Sequence, residues 1–215
     1  MTEKSTIRVF IADDHAIVRE GLKQILAESP DIVVGGEAET GSDAMKLFRK
    51  SKCTVLLLDI ALPDRSGIDV LKHIRKDHPD AAVLMLSMYR EDQYAIRALK
   101  AGAAGYLNKQ SAPRELVNAI RQVASGQKYV SAALAQELAS TVGEDHVQAP
   151  HEQLSDREFQ TLTMIASGKT VSDIARELSL SVKTISEYRA RLLSKMKLKN
   201  SAELTHYAIK NQLVE

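Results

Sequence analysis

Apolar and polar positions along the chain change their period near its middle. Up to about residue 126, short runs rich in Val, Ile and Leu alternate with stretches of helical period; beyond residue 153 only the helical period persists. The runs at 7–12, 32–37, 54–59, 82–87 and 105–108 are too continuously apolar to be half-exposed, and predict strands covered on both faces, hence parallel. Amphipathic stretches at 16–28, 42–50, 67–77, 91–101 and 113–125 predict the helices between them, with Pro113 in a first turn and Gly41, Gly102 and Gly126 punctuating ends. Strand and helix in alternation with right-handed crossovers give an α/β doubly wound five-stranded parallel sheet, order 2-1-3-4-5.

The C-terminal part reads as a small all-α domain. Ser155-Asp-Arg-Glu158 has the pattern of a capping box opening a helix to about residue 167, which Gly168 ends. A second helix at 171–178, a tight turn at Ser179-Leu-Ser181 and a third helix at 182–196 make a helix-turn-helix, and Ser201 is expected to cap a last helix through 211. An amphipathic segment at 131–141 can add one helix, and 142–152, aperiodic and rich in turn formers and charge, reads as a flexible linker. The expected domains are therefore 1–128, a helix and linker at 129–152, and 153–215.

Composition narrows the class. With 215 residues, 44% hydrophobic and 27% charged, the chain has material for one full domain and a smaller one. No apolar stretch approaches the roughly 18 residues of a membrane span, and the first residues lack the apolar centre of a signal peptide, so a cytoplasmic protein with no membrane partner is expected. Cys53 stands alone, and the six histidines show no metal-ligand spacing. The net charge of +1 is uninformative, but its distribution is not: residues 183–199 hold six Lys and Arg against the single acid Glu187.

Four of the predicted strands end in reactive groups: Asp13-Asp14, Asp59, Ser87 and Lys109. In an open parallel sheet all of these fall on the carboxyl rim, where ligands bind. Any one Asp could merely cap the helix after it. Together, three carboxylates repel unless a proton or cation joins them, and hard oxygens suit Mg²⁺. Chemistry then divides the roles. Asp59 is the candidate nucleophile for a phosphoryl group; Asp14, Asp59 and the Ala61 carbonyl are candidate metal ligands, with Asp13 orienting a metal-bound water. Lys109 and the Ser87 hydroxyl are candidate partners of phosphoryl oxygens.

The segments Ala12-Asp-Asp-His-Ala-Ile-Val-Arg-Glu-Gly21, Leu58-Asp-Ile-Ala-Leu-Pro-Asp-Arg-Ser-Gly67, the Ser87 strand end and Gly105-Tyr-Leu-Asn-Lys109 resemble the receiver domain of two-component response regulators. The resemblance spans about 7–126 and implies phosphorylation of Asp59 by a sensor histidine kinase. It also implies a Ser87 hydroxyl that moves toward the phosphate and a Tyr106 ring that changes rotamer, although a half-buried strand aromatic is the plain alternative for Tyr106. Gln110 stands after Lys109 where many receivers have Pro.

Leu154-Ser-Asp-Arg-Glu158, Ile174-Ala-Arg-Glu-Leu178, Ser181-Val-Lys-Thr-Ile-Ser186 and Leu193-Ser-Lys-Met-Lys-Leu198 resemble the LuxR-type helix-turn-helix, so that the whole chain is similar to the NarL/FixJ family. On the third helix Lys183, Ser186, Glu187, Ala190 and Arg191 are expected to point outward. Ser186 and Glu187 are candidates for reading base edges, and Lys183, Thr184, Arg189, Arg191 and Lys195 for meeting phosphates. Glu187 can accept from cytosine or repel phosphate. The resemblance further offers Leu204, Tyr207 and Ala208 as a contact between DNA-bound copies, with core packing as the alternative. The expected function is a transcription factor on promoter DNA, switched by phosphorylation of Asp59 through dimerisation and release of the DNA-binding domain, and not an enzyme beyond slow self-dephosphorylation. A phosphatase of the dehalogenase type would need a second Asp where Ala61 stands. An interaction module indifferent to phosphate would not need the Asp13, Asp14, Asp59 and Lys109 set.

Overall fold

The computed structural model describes residues 6–88, 91–110, 112–131, 134–136 and 149–214. The chain divides into two compact units, Met1–Val142 and Gly143–Glu215.

In the first unit β1 (Ile7–Ala12), β2 (Ile32–Ala38), β3 (Val55–Asp59), β4 (Ala82–Ser87) and β5 (Gly105–Asn108) form one parallel sheet in the order β2-β1-β3-β4-β5. The connecting helices are α1 (Ala16–Ala27), α2 (Gly41–Phe48), α3 (Gly67–Asp77), α4 (Glu91–Lys100) and α5 (Ala112–Ala124). Topology and strand direction are those the apolar runs imply. β3 is buried along its whole length, as a central parallel strand covered on both faces must be. Alternate side chains feed two cores. Val9, Ile11, Leu57, Leu84, Leu86 and Leu107 pack with Leu22 and Leu26 of α1 and with Leu116, Ile120 and Val123 of α5. Their neighbours along the strands, among them Phe10, Leu56, Met85 and Tyr106, face the other side, where Phe10 meets Phe48 of α2 edge to face at 5.8 Å.

The sheet's two edges are irregular. Pairing of β1 with β2 slips by one residue, from Val9↔Val34 to Phe10↔Gly36. β5 is short, and Tyr129 runs beside it, its N–H donating to the Ala104 carbonyl at 2.9 Å and its carbonyl lying over Gly105. Tyr129, expected to begin the helix and linker, thus packs with the sheet. Of the expected helix at 131–141, residues 134–136 are helical and 132–133 and 137–141 lie outside the described residues, as does most of the expected linker.

One glycine fixes how α3 meets the rim. The Gly67 N–H donates to the Ile60 carbonyl at 2.8 Å, and a Cβ at this position would stand 2.0 Å from the Asp59 carbonyl oxygen. Only a residue without a side chain lets the helix start press against the end of β3.

The second unit opens with a 3-10 turn, Pro150–Gln153, and continues through α6 (Asp156–Ala166), α7 (Val171–Glu177), α8 (Val182–Met196) and α9 (Ser201–Lys210). The capping box is formed: Ser155 Oγ accepts from the Glu158 N–H, and Glu158 Oε2 accepts from the Ser155 N–H at 2.8 Å. Between α7 and α8 the turn closes with Ser179 in the left-handed region, φ 51°, and with the Leu180 N–H on the Ala175 carbonyl at 2.8 Å. Ser201 is not the cap of the last helix. Asn200 takes that place, its Oδ1 accepting from the Glu203 N–H at 2.9 Å, and Ser201 is the first helical residue. Asn and Ser are nearly equal caps, so two of them in succession do not announce which one serves.

The contact expected between copies also needs correction. Leu204 and Ala208 are 0% exposed, on the face by which α9 packs against α6. They are core residues, and the free face of α9 carries Ala202, His206, Ile209 and Lys210 instead. Tyr207 is half-buried, its hydroxyl 2.8 Å from His151 Nδ1.

Candidate functional site

The rim of the first unit is assembled by the strand ends. Asp13 follows β1 and is held there by its N–H on the Ala38 carbonyl, at 3.1 Å; Asp59 closes β3; Ser87 closes β4; and the Lys109 N–H donates to the Ser87 carbonyl at 2.8 Å. Asp13, Asp59 and Ser87 are buried, while Asp14 is partly open. Lys109 reaches between two carboxylates, its Nζ 2.6 Å from Asp13 Oδ2 and 3.1 Å from Asp59 Oδ2. All five rim groups expected from the strand ends lie here, and the Ala61 backbone lies beside them, its N–H donating to the Asp59 carboxylate.

Burial and the Asp13 charge push the Asp59 carboxyl up to about 6, against the pull of Lys109 and the Ala61 N–H. Burial alone would lower the Lys109 ammonium, but Asp59 and Asp13 outweigh it and hold the group above its ordinary value. The pocket therefore holds more negative than positive charge, and burial works against the ionisation of Asp59. A cation relieves this. Asp13, Asp14, His15 and Asp59 each present a ligand atom, all within 4.8 Å of one another. Asp14 Oδ1 is a buried oxygen without a hydrogen-bond partner among the described residues, with His15 Nδ1 its close neighbour, and Asp13 Oδ2 is held by Lys109 Nζ. Carboxylate oxygens in that state fit a small divalent cation.

Three residues of the site escape a reading of strand ends. His15, the first residue after the acidic pair, lies with Nδ1 2.8 Å from Asp14 Oδ1 and 3.4 Å from Asp13 Oδ1. Arg19, one turn into α1 and buried, donates from Nη1 to the Asp13 carbonyl at 2.8 Å and from Nη2 to Glu39 Oε1 at 2.5 Å, so it holds the backbone that carries the acids. Asp64, on the loop after Asp59, accepts from the N–H groups of Gly41 and Ser42 at 2.7 and 2.9 Å, tying that loop to the start of α2. Burial, which would raise the Asp64 carboxyl, is overcome by the Ser42 hydroxyl and these two N–H groups, which hold it at about 2. Adjacency betrays His15. A buried Arg and a loop Asp depend on tertiary contacts that no local pattern contains.

Tyr106 is fully buried beside Met85 of the neighbouring strand, rather than half-exposed.

On α8 of the second unit, Lys183, Ser186, Glu187, Ala190, Arg191 and Lys195 are exposed, and Ile185, Leu192 and Met196 are buried. Thr184, half-buried, supplies its N–H to the Ser181 cap at 3.0 Å. Two of the expected phosphate partners are tied to other helices: Lys195 Nζ meets Glu158 Oε2 at 2.7 Å, and Arg189 Nε donates to Ser201 Oγ at 2.9 Å. The Arg191 guanidinium lies over the Tyr188 ring, 5.0 Å from its centroid, and keeps its outward position.

Comparison with known proteins covers both units. Residues 9–121 match the family described as "Response regulator receiver domain", and residues 152–208 match "Bacterial regulatory proteins, luxR family". The chain is similar to the response regulator UvrY of Escherichia coli, 39% identical over 208 residues, covering 96% of this chain and 95% of that one. It is similar also to the response regulator GacA of Pseudomonas aeruginosa, 37% identical over 211 residues, covering 97% and 98%. Among solved structures it resembles RcsB from Salmonella enterica serovar Typhimurium bound to promoter rprA in the presence of the phosphomimetic BeF3-. That likeness has a TM-score of 0.65 at 29% identity, covering 94% of this chain and 98% of that one.

Proposed function

The chain belongs to the NarL/FixJ family of two-component response regulators, and from that premise we propose that it is a promoter-binding transcription factor switched by phosphorylation of Asp59. The observation that carries this reading is Lys109 Nζ bridging Asp13 and Asp59 at 2.6 and 3.1 Å, on the rim where the strands end. A sensor histidine kinase is the phosphoryl donor. An Asp59 carboxylate oxygen attacks phosphorus, the bond from phosphorus to the kinase's imidazole nitrogen breaks, and its electron pair leaves with the imidazole. Mg²⁺ held by Asp14, Asp59 and the Ala61 carbonyl, with Asp13 acting through a water, would neutralise charge on the transferring group. Lys109 then exchanges part of its hold on Asp59 for a phosphoryl oxygen, and the Ser87 hydroxyl donates to another. Asp59 is regenerated by slow hydrolysis, and Ala61, where a dehalogenase-type phosphatase has its acid, leaves no group for rapid turnover.

The second unit, in the domain expected at 153–215, reads DNA through the outer face of α8. Lys183 and Arg191 meet phosphates, while Ser186 and Glu187 face base edges. Lys195 and Arg189 hold α8 to its neighbours and make at most a secondary contribution to affinity. The relative RcsB is described as bound to promoter DNA and as dimers on DNA, and a homodimer is the assembly proposed here, with the free face of α9 as its contact on DNA. Activation combines receiver dimerisation with release of the DNA-binding domain, the expected linker serving as the tether, and Tyr106 and Ser87 as the pair that reports phosphate. No described helix is long and apolar enough to cross a membrane, and the reading places the protein in the cytoplasm, where kinase and promoter are both within reach.

Incubating the full chain with a small phosphodonor and Mg²⁺ and weighing the intact protein tests this. The wild type gains one phosphoryl group and Asp59→Asn gains none; full labelling of Asp59→Asn would remove Asp59 from the mechanism.

A further inference from the structure

We infer that His15 is a nitrogen ligand of the acidic pocket and tunes it toward first-row transition cations such as Mn²⁺ and Zn²⁺. The inference rests on the cation reading of the rim given above and adds to it the donor that decides which cation is held.

The geometry has two parts. First, the two contacts of His15 Nδ1, 2.8 Å to Asp14 Oδ1 and 3.4 Å to Asp13 Oδ1, bracket the spacing of neighbouring ligands on one ion. With metal–ligand bonds of about 2.1 Å, adjacent corners of an octahedron lie about 3.0 Å apart. Asp59 adds an oxygen within the same 4.8 Å cluster.

Second, His15 Nδ1 and Asp14 Oδ1 form a close pair, and no other group among the described residues hydrogen-bonds to that buried oxygen. A cation that displaces the proton between them meets both atoms at the spacing of neighbouring ligands. His15 is held in place for this, because its own N–H donates to Asp13 Oδ1 at 2.9 Å and so fixes the backbone that aims the ring. The ring is 63% exposed and free to withdraw from Mg²⁺, which prefers oxygen and keeps its waters; imidazole suits the softer cations.

The test uses the full-length protein with one equivalent of Mn²⁺, and separately with Mg²⁺. Electron spin-echo modulation of bound Mn²⁺ is expected to show imidazole ¹⁴N coupling in the wild type and none in His15→Gln. The ratio of Mn²⁺ to Mg²⁺ affinity, read by titration calorimetry within each protein, is expected to fall about tenfold in His15→Gln, the scale on which ligand-shell changes act. Mn²⁺ that binds the wild type, is lost in Asp14→Ala and shows no nitrogen coupling would overturn the role of His15 and leave the cation site standing. Binding of either ion that is indifferent to Asp14→Ala would overturn both.

Discussion

Lys195 Nζ sits 2.7 Å from Glu158 Oε2, the carboxylate that also caps the first turn of α6. The contact turns an apparent DNA ligand into a strut between α6 and α8. Lys195→Ala should therefore act first on stability, by about 0.2–1 kcal/mol for a pair whose lysine is 44% exposed. Lys183→Ala and Arg191→Ala should each reduce the salt slope of DNA binding by about one and weaken binding at all sequences alike. Urea denaturation of the three variants, with affinities measured across a salt series, separates the two behaviours. A slope change in Lys195→Ala as large as in Arg191→Ala would return Lys195 to the interface.

Asp59 predicts a pH dependence of known sign. Its folded-state carboxyl stands near 6, above the roughly 3.9 of an unfolded Asp. The folded state thus holds the proton more tightly, and this group's contribution to stability is fully present at acid pH and lost as pH rises from about 4 through about 6. Without added metal, Asp59→Asn should melt higher than wild type at pH 7.5, by an amount on the order of 2 kcal/mol, with the gap closing toward pH 4. Labelling by a phosphodonor needs the anion, so its rate should climb through about pH 6 and the midpoint should move down when Mg²⁺ is added. Lys109→Met should move the midpoint up. Calorimetric melting at several pH values and a pH profile of labelling check both limbs.

Asp64 has the opposite sign. Its carboxyl is held at about 2, so its stabilisation is present above about pH 4 and disappears as pH falls through about 2. Asp64→Ala should cost about 0.5–2 kcal/mol at neutral pH, as the loss of a helix cap does. It should also slow labelling of Asp59 by slackening the loop between them. Equal stabilities of wild type and variant at pH 7 in a urea titration would rule out the anchor.

Replacing Gly67 tests the approach of α3 to the strand that ends in Asp59. A Cβ 2.0 Å from the Asp59 carbonyl oxygen has to displace backbone, so Gly67→Ala should destabilise the first unit by more than about 2 kcal/mol and lower the labelling rate together. Normal labelling with unchanged melting would show that the rim yields freely.

In the second unit Leu204→Ala should open a cavity and cost about 2–5 kcal/mol. Ile209→Lys, at a side chain 53% exposed, should leave the melting point nearly unchanged and weaken assembly on DNA. Circular-dichroism melts and sedimentation with operator DNA distinguish them.

The sheet and its order were legible because buried parallel strands leave little room for polar residues, and each run in this chain ends where its strand ends, to within a residue. Asp13, Asp59, Ser87 and Lys109 were legible for the same reason, since strand ends in a parallel sheet share a rim. Arg19 and Asp64 were not, because each depends on a distant segment, Arg19 on the Glu39 carboxylate and Asp64 on the N–H groups of Gly41 and Ser42. Leu204 and Ala208 illustrate a different limit. An apolar stripe on a terminal helix satisfies a core and a dimer contact equally well, and only the packing of α6 decides between them.

The irregular edges of the sheet have a consequence for how copies of the first unit can meet. A strand edge with free N–H and C=O groups invites another chain to pair with it and extend the sheet without limit. Here Tyr129 occupies the outer side of β5, and the slipped register on the β2 side, with Glu37 drawn into ion pairs with Arg19 and Lys23, presents a charged and uneven border. Neither border is a good template. In the homodimer proposed above, the first unit would then meet its copy through helical faces, where association closes at two copies and is reversible, rather than through the open-ended strand stacking that ends in fibres.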